Sequence, residues 1–129
     1  MKNLWLIALL LCCGSVASAR TEEYPDDSGN AFLRLCSIVE QEKTALITGH
    51  ELECVFYIKG FVSGVEMEYA ATMEKSAAPM PFCRPENTEN AQLVRIVLKY
   101  VRENPQDAHQ LTMYVAMRAF QKAFPCPFK

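Results

Sequence analysis

The stretch ECVFYIKGFVSGVEMEY, residues 53–69, decides the fold. Cys54, Tyr57, Ile58, Phe61, Val65 and Tyr69 recur at spacings of three and four, which places them on one face of an α-helix. Glu53, Glu66 and Glu68 fall off that face and make the other side acidic. No run longer than a few residues alternates in the manner of a strand. Upstream, Phe32, Leu35, Cys36 and Val39 repeat the helical spacing and predict a helix from Ala31 to Lys43, capped by Ser28 or Asn30. Thr48-Gly49-His50 reads as the turn between the two. Downstream, Ala77–Pro85 holds three prolines and cannot be regular helix. Asn87 or Thr88 then caps a third helix with Ala91, Val94, Val97, Leu98 and Val101 on its apolar side. Asn104-Pro105 ends that helix, because the residue before a proline avoids the helical region. The fourth is expected from Asp107 to Lys122, with Leu111, Tyr114, Val115, Ala119 and Phe120 inward. The expected fold is all-α: a small bundle of four main helices in two hairpins.

The 129 residues suffice for one domain. A net charge of −2 gives no basic excess for binding nucleic acid. The N-terminus reads as an address. Lys2 precedes the apolar run LWLIALLLCC, residues 4–13, and Val16-Ala17-Ser18-Ala19 supplies small residues for cleavage after Ala19. A run of that length spans ~15 Å as a helix, too short for a bilayer core. Residues 1–19 are therefore expected to be a signal peptide and 20–129 the mature domain, periplasmic and free of the membrane. Leu11 and Cys12 stand where a lipoprotein box would need small residues before Cys13.

Cleavage leaves Cys36, Cys54, Cys83 and Cys126, an even number that reads as two disulfides in an oxidising compartment. If helices three and four fold back about Pro105, Cys83 and Cys126 lie almost equally far from the turn and meet. Cys36 and Cys54 then pair across the first hairpin. The shortest gap between these four cysteines is that from Cys36 to Cys54, too wide for the close pairs of a structural zinc site. No metal and no cofactor are expected.

A catalytic set is also missing from the sequence. Gly60-Phe61-Val62-Ser63-Gly64 carries its serine one place too late for a nucleophile elbow and sits inside a helix. His50 and His109 stand in turn-like contexts, away from any reduced cysteine. Glu51/Glu53 and Glu66/Glu68 are two apart and diverge on a helix, so they read as solvated. Gly60 and Gly64, four apart beside Tyr57, read as a helix-packing groove; a dimer seam at the same groove is the alternative.

Four elements stand in a particular order: Cys54-x-x-Tyr57-Ile58-x-Gly60-Phe61-x-x-Gly64, then Cys83-x-Pro85, then Gln92-Leu93-Val94 leading to Tyr100 and Asn104-Pro105, then Ala123-Phe124-Pro125-Cys126. This ordered set resembles the Rap/Tai family of type VI secretion immunity proteins over about Leu35 to Cys126. One departure is Arg84, where the family commonly has isoleucine. The resemblance implies a small helical periplasmic protein that binds and silences a secreted toxin effector, in the characterised branch a peptidoglycan amidase, without chemistry of its own. A general holdase chaperone of the small helical acid-stress type is the competing class, and it would need exposed apolar surface for many clients. The candidate partner surface is the irregular stretch from Glu66 through Arg84, where Glu66, Glu68, Met80, Phe82 and Arg84 are the expected contacts. Glu74 joins Glu66 and Glu68 as a candidate for steering a basic cleft.

Overall fold

Four helices carry the chain in a computed structural model that describes residues 26–40, 49–73 and 78–127. Helix α1 is Gly29–Cys36, continued by a 3₁₀ turn over Ser37–Glu40; α2 is Gly49–Thr72, α3 is Asn90–Glu103 and α4 is Thr112–Ala123. No strand occurs among the described residues, where a single isolated bridge pairs Ser28 with Leu111. The all-α expectation holds. The expected signal peptide, Lys43, Thr48 and Glu74 lie outside the described residues.

Helix α3 is the centre of the bundle and packs against all three others. Leu93, Val94, Val97, Leu98, Tyr100 and Val101 are buried along it, a stripe broad enough to meet neighbours on several sides. Phe120 of α4 anchors an aromatic cluster: its ring centroid lies 5.3 Å from Phe82, 6.3 Å from Phe61 and 6.2 Å from Phe124. The Arg102 guanidinium pairs with Glu40 and ties α3 to the 3₁₀ turn. The Tyr100 hydroxyl donates to Asp107 Oδ2 at 2.8 Å, fixing the turn after α3. Burial, and then this carboxylate, hold the Tyr100 phenol above its ordinary pKa.

Both disulfides form as expected. Cys36–Cys54 joins the end of α1 to the start of α2 with Cα atoms 5.8 Å apart, and Cys83–Cys126 joins the segments flanking the α3–α4 hairpin at 4.8 Å. Both spans suit a disulfide without backbone displacement.

Several boundaries differ from the sequence reading, each for a physical reason. Ser28, one of the two expected caps, does cap α1, its side-chain oxygen accepting from the Ala31 amide at 3.2 Å, so the helix starts at Gly29 and not Ala31. Gly49 and His50 open α2 rather than forming a turn. Glu89 occupies the N-cap position of α3, while the Thr88 hydroxyl donates to the Pro85 carbonyl at 2.7 Å and closes the preceding turn. Helix α4 starts at Thr112, not Asp107. A helix begun at Asp107 would need the Ala108 and Gln110 carbonyls for its own ladder. Here those carbonyls accept from Asn30 (2.8 Å) and Gly29 (2.9 Å), so the N-terminal segment competes for them and wins. Leu111 and Tyr114, expected inward, are consequently exposed. Leu35 also points outward, 66 % exposed.

Candidate functional site

Three prolines, one disulfide and one ion pair shape the segment that precedes α3. Pro79, Pro81 and Pro85 keep it out of helix. Phe82 anchors it in the core, and the Cys83 amide donates to the Phe124 carbonyl at 2.8 Å beside the Cys83–Cys126 disulfide. Arg84 then reaches α2: its Nε and Nη2 donate to Glu66 Oε1 at 3.1 and 3.0 Å, and Nη2 also lies 3.3 Å from Oε2. This forked, half-buried pair holds the segment at a fixed distance from the helix.

Between the segment, the C-terminal half of α2 and the residues after α4 lies an open cleft of about 870 Å³. Glu66 and Tyr69 form the α2 wall, Pro79, Met80 and Arg84 the opposite wall, and Pro127 closes one end. Of the five expected contacts, Glu66, Met80 and Arg84 line this cleft. Phe82 lies in its floor with no solvent exposure and its ring against Phe120, so it is a core residue and not a contact. Glu68 is exposed on α2 and does not line the cleft. Tyr69 and Pro127 were missed. Pro127 was within reach of sequence reasoning, because pairing Cys83 with Cys126 brings the next residue beside Met80.

All four cysteines of the described residues are in disulfides, and no group of three or more His, Cys, Asp or Glu among those residues is placed to hold a metal ion. The cleft offers apolar side chains, a fixed ion pair and a rigid frame, which suit contact with another protein.

A protein-family model of Rap1a immunity proteins matches residues 28–126. The match begins at the residue that caps α1 and ends at the half-cystine that closes the second disulfide. This chain belongs to the Rap1a immunity protein family. No curated protein and no solved structure matches it. Membership of this family implies binding of a cognate secreted effector. Arg84 is the residue that ties the cleft's two walls together.

The Gly60–Gly64 groove of this Rap1a protein is not used for packing among the described residues. A Cβ built on either glycine meets nothing within 4 Å, and both positions are exposed. Helix α2 buries Cys54, Ile58 and Val62 instead, which turns the glycines outward. Tyr57 does pack: its ring lies 6.2 Å from Phe32, and its hydroxyl donates to Asp27 Oδ1 at 3.0 Å. The glycine that a close approach requires is Gly29, where a Cβ would stand 3.1 Å from the Ala108 carbonyl oxygen and 3.2 Å from Val115. That carbonyl accepts from the Asn30 amide at 2.8 Å, so yielding to a Cβ would strain this bond. Gly60→Ala is therefore expected to stabilise the fold by about 0.5–1 kcal/mol through helix propensity, and Gly29→Ala to destabilise it. Urea unfolding of the two variants checks both signs.

Proposed function

We propose that this protein is exported to the periplasm after cleavage behind Ala19, and that residues 20–129 bind one type VI secreted effector and occlude its active site. The effector class that fits best is a peptidoglycan amidase. Family membership over residues 28–126 carries this reading. The apolar run at residues 4–13 supports export, and two disulfides suit an oxidising compartment. The cleft beside Glu66 and Arg84 is the contact face: its walls are set before binding, so little ordering entropy is lost on association. An inhibitor that must outcompete substrate at low concentration needs nanomolar affinity, about −12 kcal/mol, and roughly 800 Å² of contact on each side.

Leu52, Phe56 and Met67 stand exposed along the outer side of α2, and they favour two further partners for that face: a second copy of the chain, or the unfolded clients of a holdase. Sedimentation of the purified protein at micromolar concentration tests the first. Protection of unrelated acid-unfolded proteins tests the second.

The experiment on the main reading is done in cells. An effector of the amidase class, directed to the periplasm, should lyse its host. Co-production of the full chain should restore growth, whereas a form lacking residues 2–19 should not. Failure of the full chain rejects the pairing, and rescue by the leaderless form rejects the periplasmic site of action.

A further inference from the structure

We propose that a second groove, at the opposite end of α2 from the cleft, is a docking site for an arginine side chain presented by a protein partner. Glu53 marks this groove and Glu66 marks the cleft, about 20 Å apart along the helix. The inference goes beyond the effector-blocking reading and is independent of the effector's identity.

The groove lies between the segment before α1, α1 itself and the first turns of α2, and measures about 190 Å³. That is below the ~300–1,000 Å³ of a small-molecule pocket and suits one long side chain. Its floor is apolar, made by the tilted pair of Phe32 and Tyr57 and by the Cys36–Cys54 disulfide. Leu35, turned outward where its spacing predicted an inward position, forms a lip. The rim is acidic: Asp26, Asp27 and Glu53 line it, and no lysine or arginine does so among the described residues.

An aliphatic stem needs an apolar wall, and a guanidinium favours an aromatic face with carboxylates at its edge. Leu35 and Phe32 supply the wall, Tyr57 the face, and Asp27 and Glu53 the carboxylates. Lysine has the stem and the charge but no plane to stack, so arginine is the better fit. The site is also pre-set. Tyr57 donates to Asp27 at 3.0 Å, and Asp26 accepts from the Ser28 amide at 3.1 Å and from Arg34 at 3.2 Å. The Ser28 side chain first, then Arg34 and the Ser28 amide, keep the Asp26 carboxyl below its ordinary pKa. Arg34 answers the charge of Asp26, which leaves Asp27 and Glu53 as the carboxylates facing an incoming cation. His50 lies 3.3 Å from Glu53, and an incoming guanidinium competes with it for that carboxylate.

The test is an NMR titration of the oxidised, ¹⁵N-labelled protein with acetyl-Gly-Arg-Gly-amide near neutral pH. Shifts are expected at the amides of Phe32, Leu35, Cys54 and Tyr57, saturating with a Kd of about 1 mM. The citrulline peptide, equal in shape but uncharged, should bind about tenfold more weakly, and the lysine peptide should fall between the two. Glu53→Gln should weaken the arginine peptide about threefold, while Glu86→Gln, on another surface, should leave it unchanged. Equal response to citrulline, indifference to Glu53→Gln, or shifts spread over the whole surface would overturn the proposal.

Discussion

Phe82→Ala is expected to remove about 3–5 kcal/mol of stability, a large part of what a domain of this size has. The ring has no exposed surface, and it meets Phe120 at 5.3 Å in the aromatic cluster. Truncation leaves a cavity under the cleft, where the ring anchors the 79–84 segment in the core. Phe82→Leu refills most of that space and should cost less than about 1.5 kcal/mol. The pair of variants separates two roles. A core residue predicts that Phe82→Leu still protects against the effector with little change. A contact residue predicts that protection falls with the leucine variant despite a sound fold. Urea unfolding followed by effector inhibition reads both.

Removing Cys83–Cys126 by double alanine substitution is the second large effect. In the chain-entropy account, closing its loop contributes roughly 4 kcal/mol, against roughly 3 for Cys36–Cys54. Together these rival the ~5–15 kcal/mol of a whole domain. The second bridge has a further consequence, since it sets the wall of the cleft at Cys83 and brings Pro127 to its end. Cys83→Ala with Cys126→Ala should therefore lower the urea midpoint sharply and weaken effector inhibition beyond the change in folded fraction. Replacing Cys36 and Cys54 should lower stability while leaving the inhibition of folded molecules intact. An unchanged midpoint for the Cys83/Cys126 variant would contradict this role.

The helices and both disulfide pairings were legible in the sequence for a simple reason. Apolar residues at spacings of three and four mark a buried face wherever the opposite face is polar, as in α3 and α4. The fold-back about Pro105 then selects the partner of Cys83. Helix α2 and most of its inward face were legible: Cys54 and Ile58 are buried and Phe61 and Val65 pack on the core, while buried Val62 lies outside the expected set. Phe56, 57 % exposed, and Met67, 72 % exposed, add apolar residues to the outer side among the glutamates, which blurs the edge of the buried stripe. The start of α4 was illegible because the competitor for its carbonyls lies far upstream, at Gly29 and Asn30. The need for glycine at position 29 was hidden for the same reason: the atoms it must avoid belong to Ala108 and Val115. In the cleft, the irregular 79–84 segment was located through its prolines. Phe82, expected as a contact, lies in the core instead, because its partner Phe120 comes from a helix distant in sequence. The Arg84–Glu66 fork joins residues on separate elements, and no local pattern announces such a pair.

The central claim is that this protein silences its effector by one-to-one binding. The most direct measurement is residual peptidoglycan hydrolysis by a purified effector of the proposed amidase class, titrated with residues 20–129. At effector concentrations well above a nanomolar Kd, activity should fall linearly and reach zero at one equivalent. Hydrolysis that continues undiminished in the presence of a large excess contradicts the account.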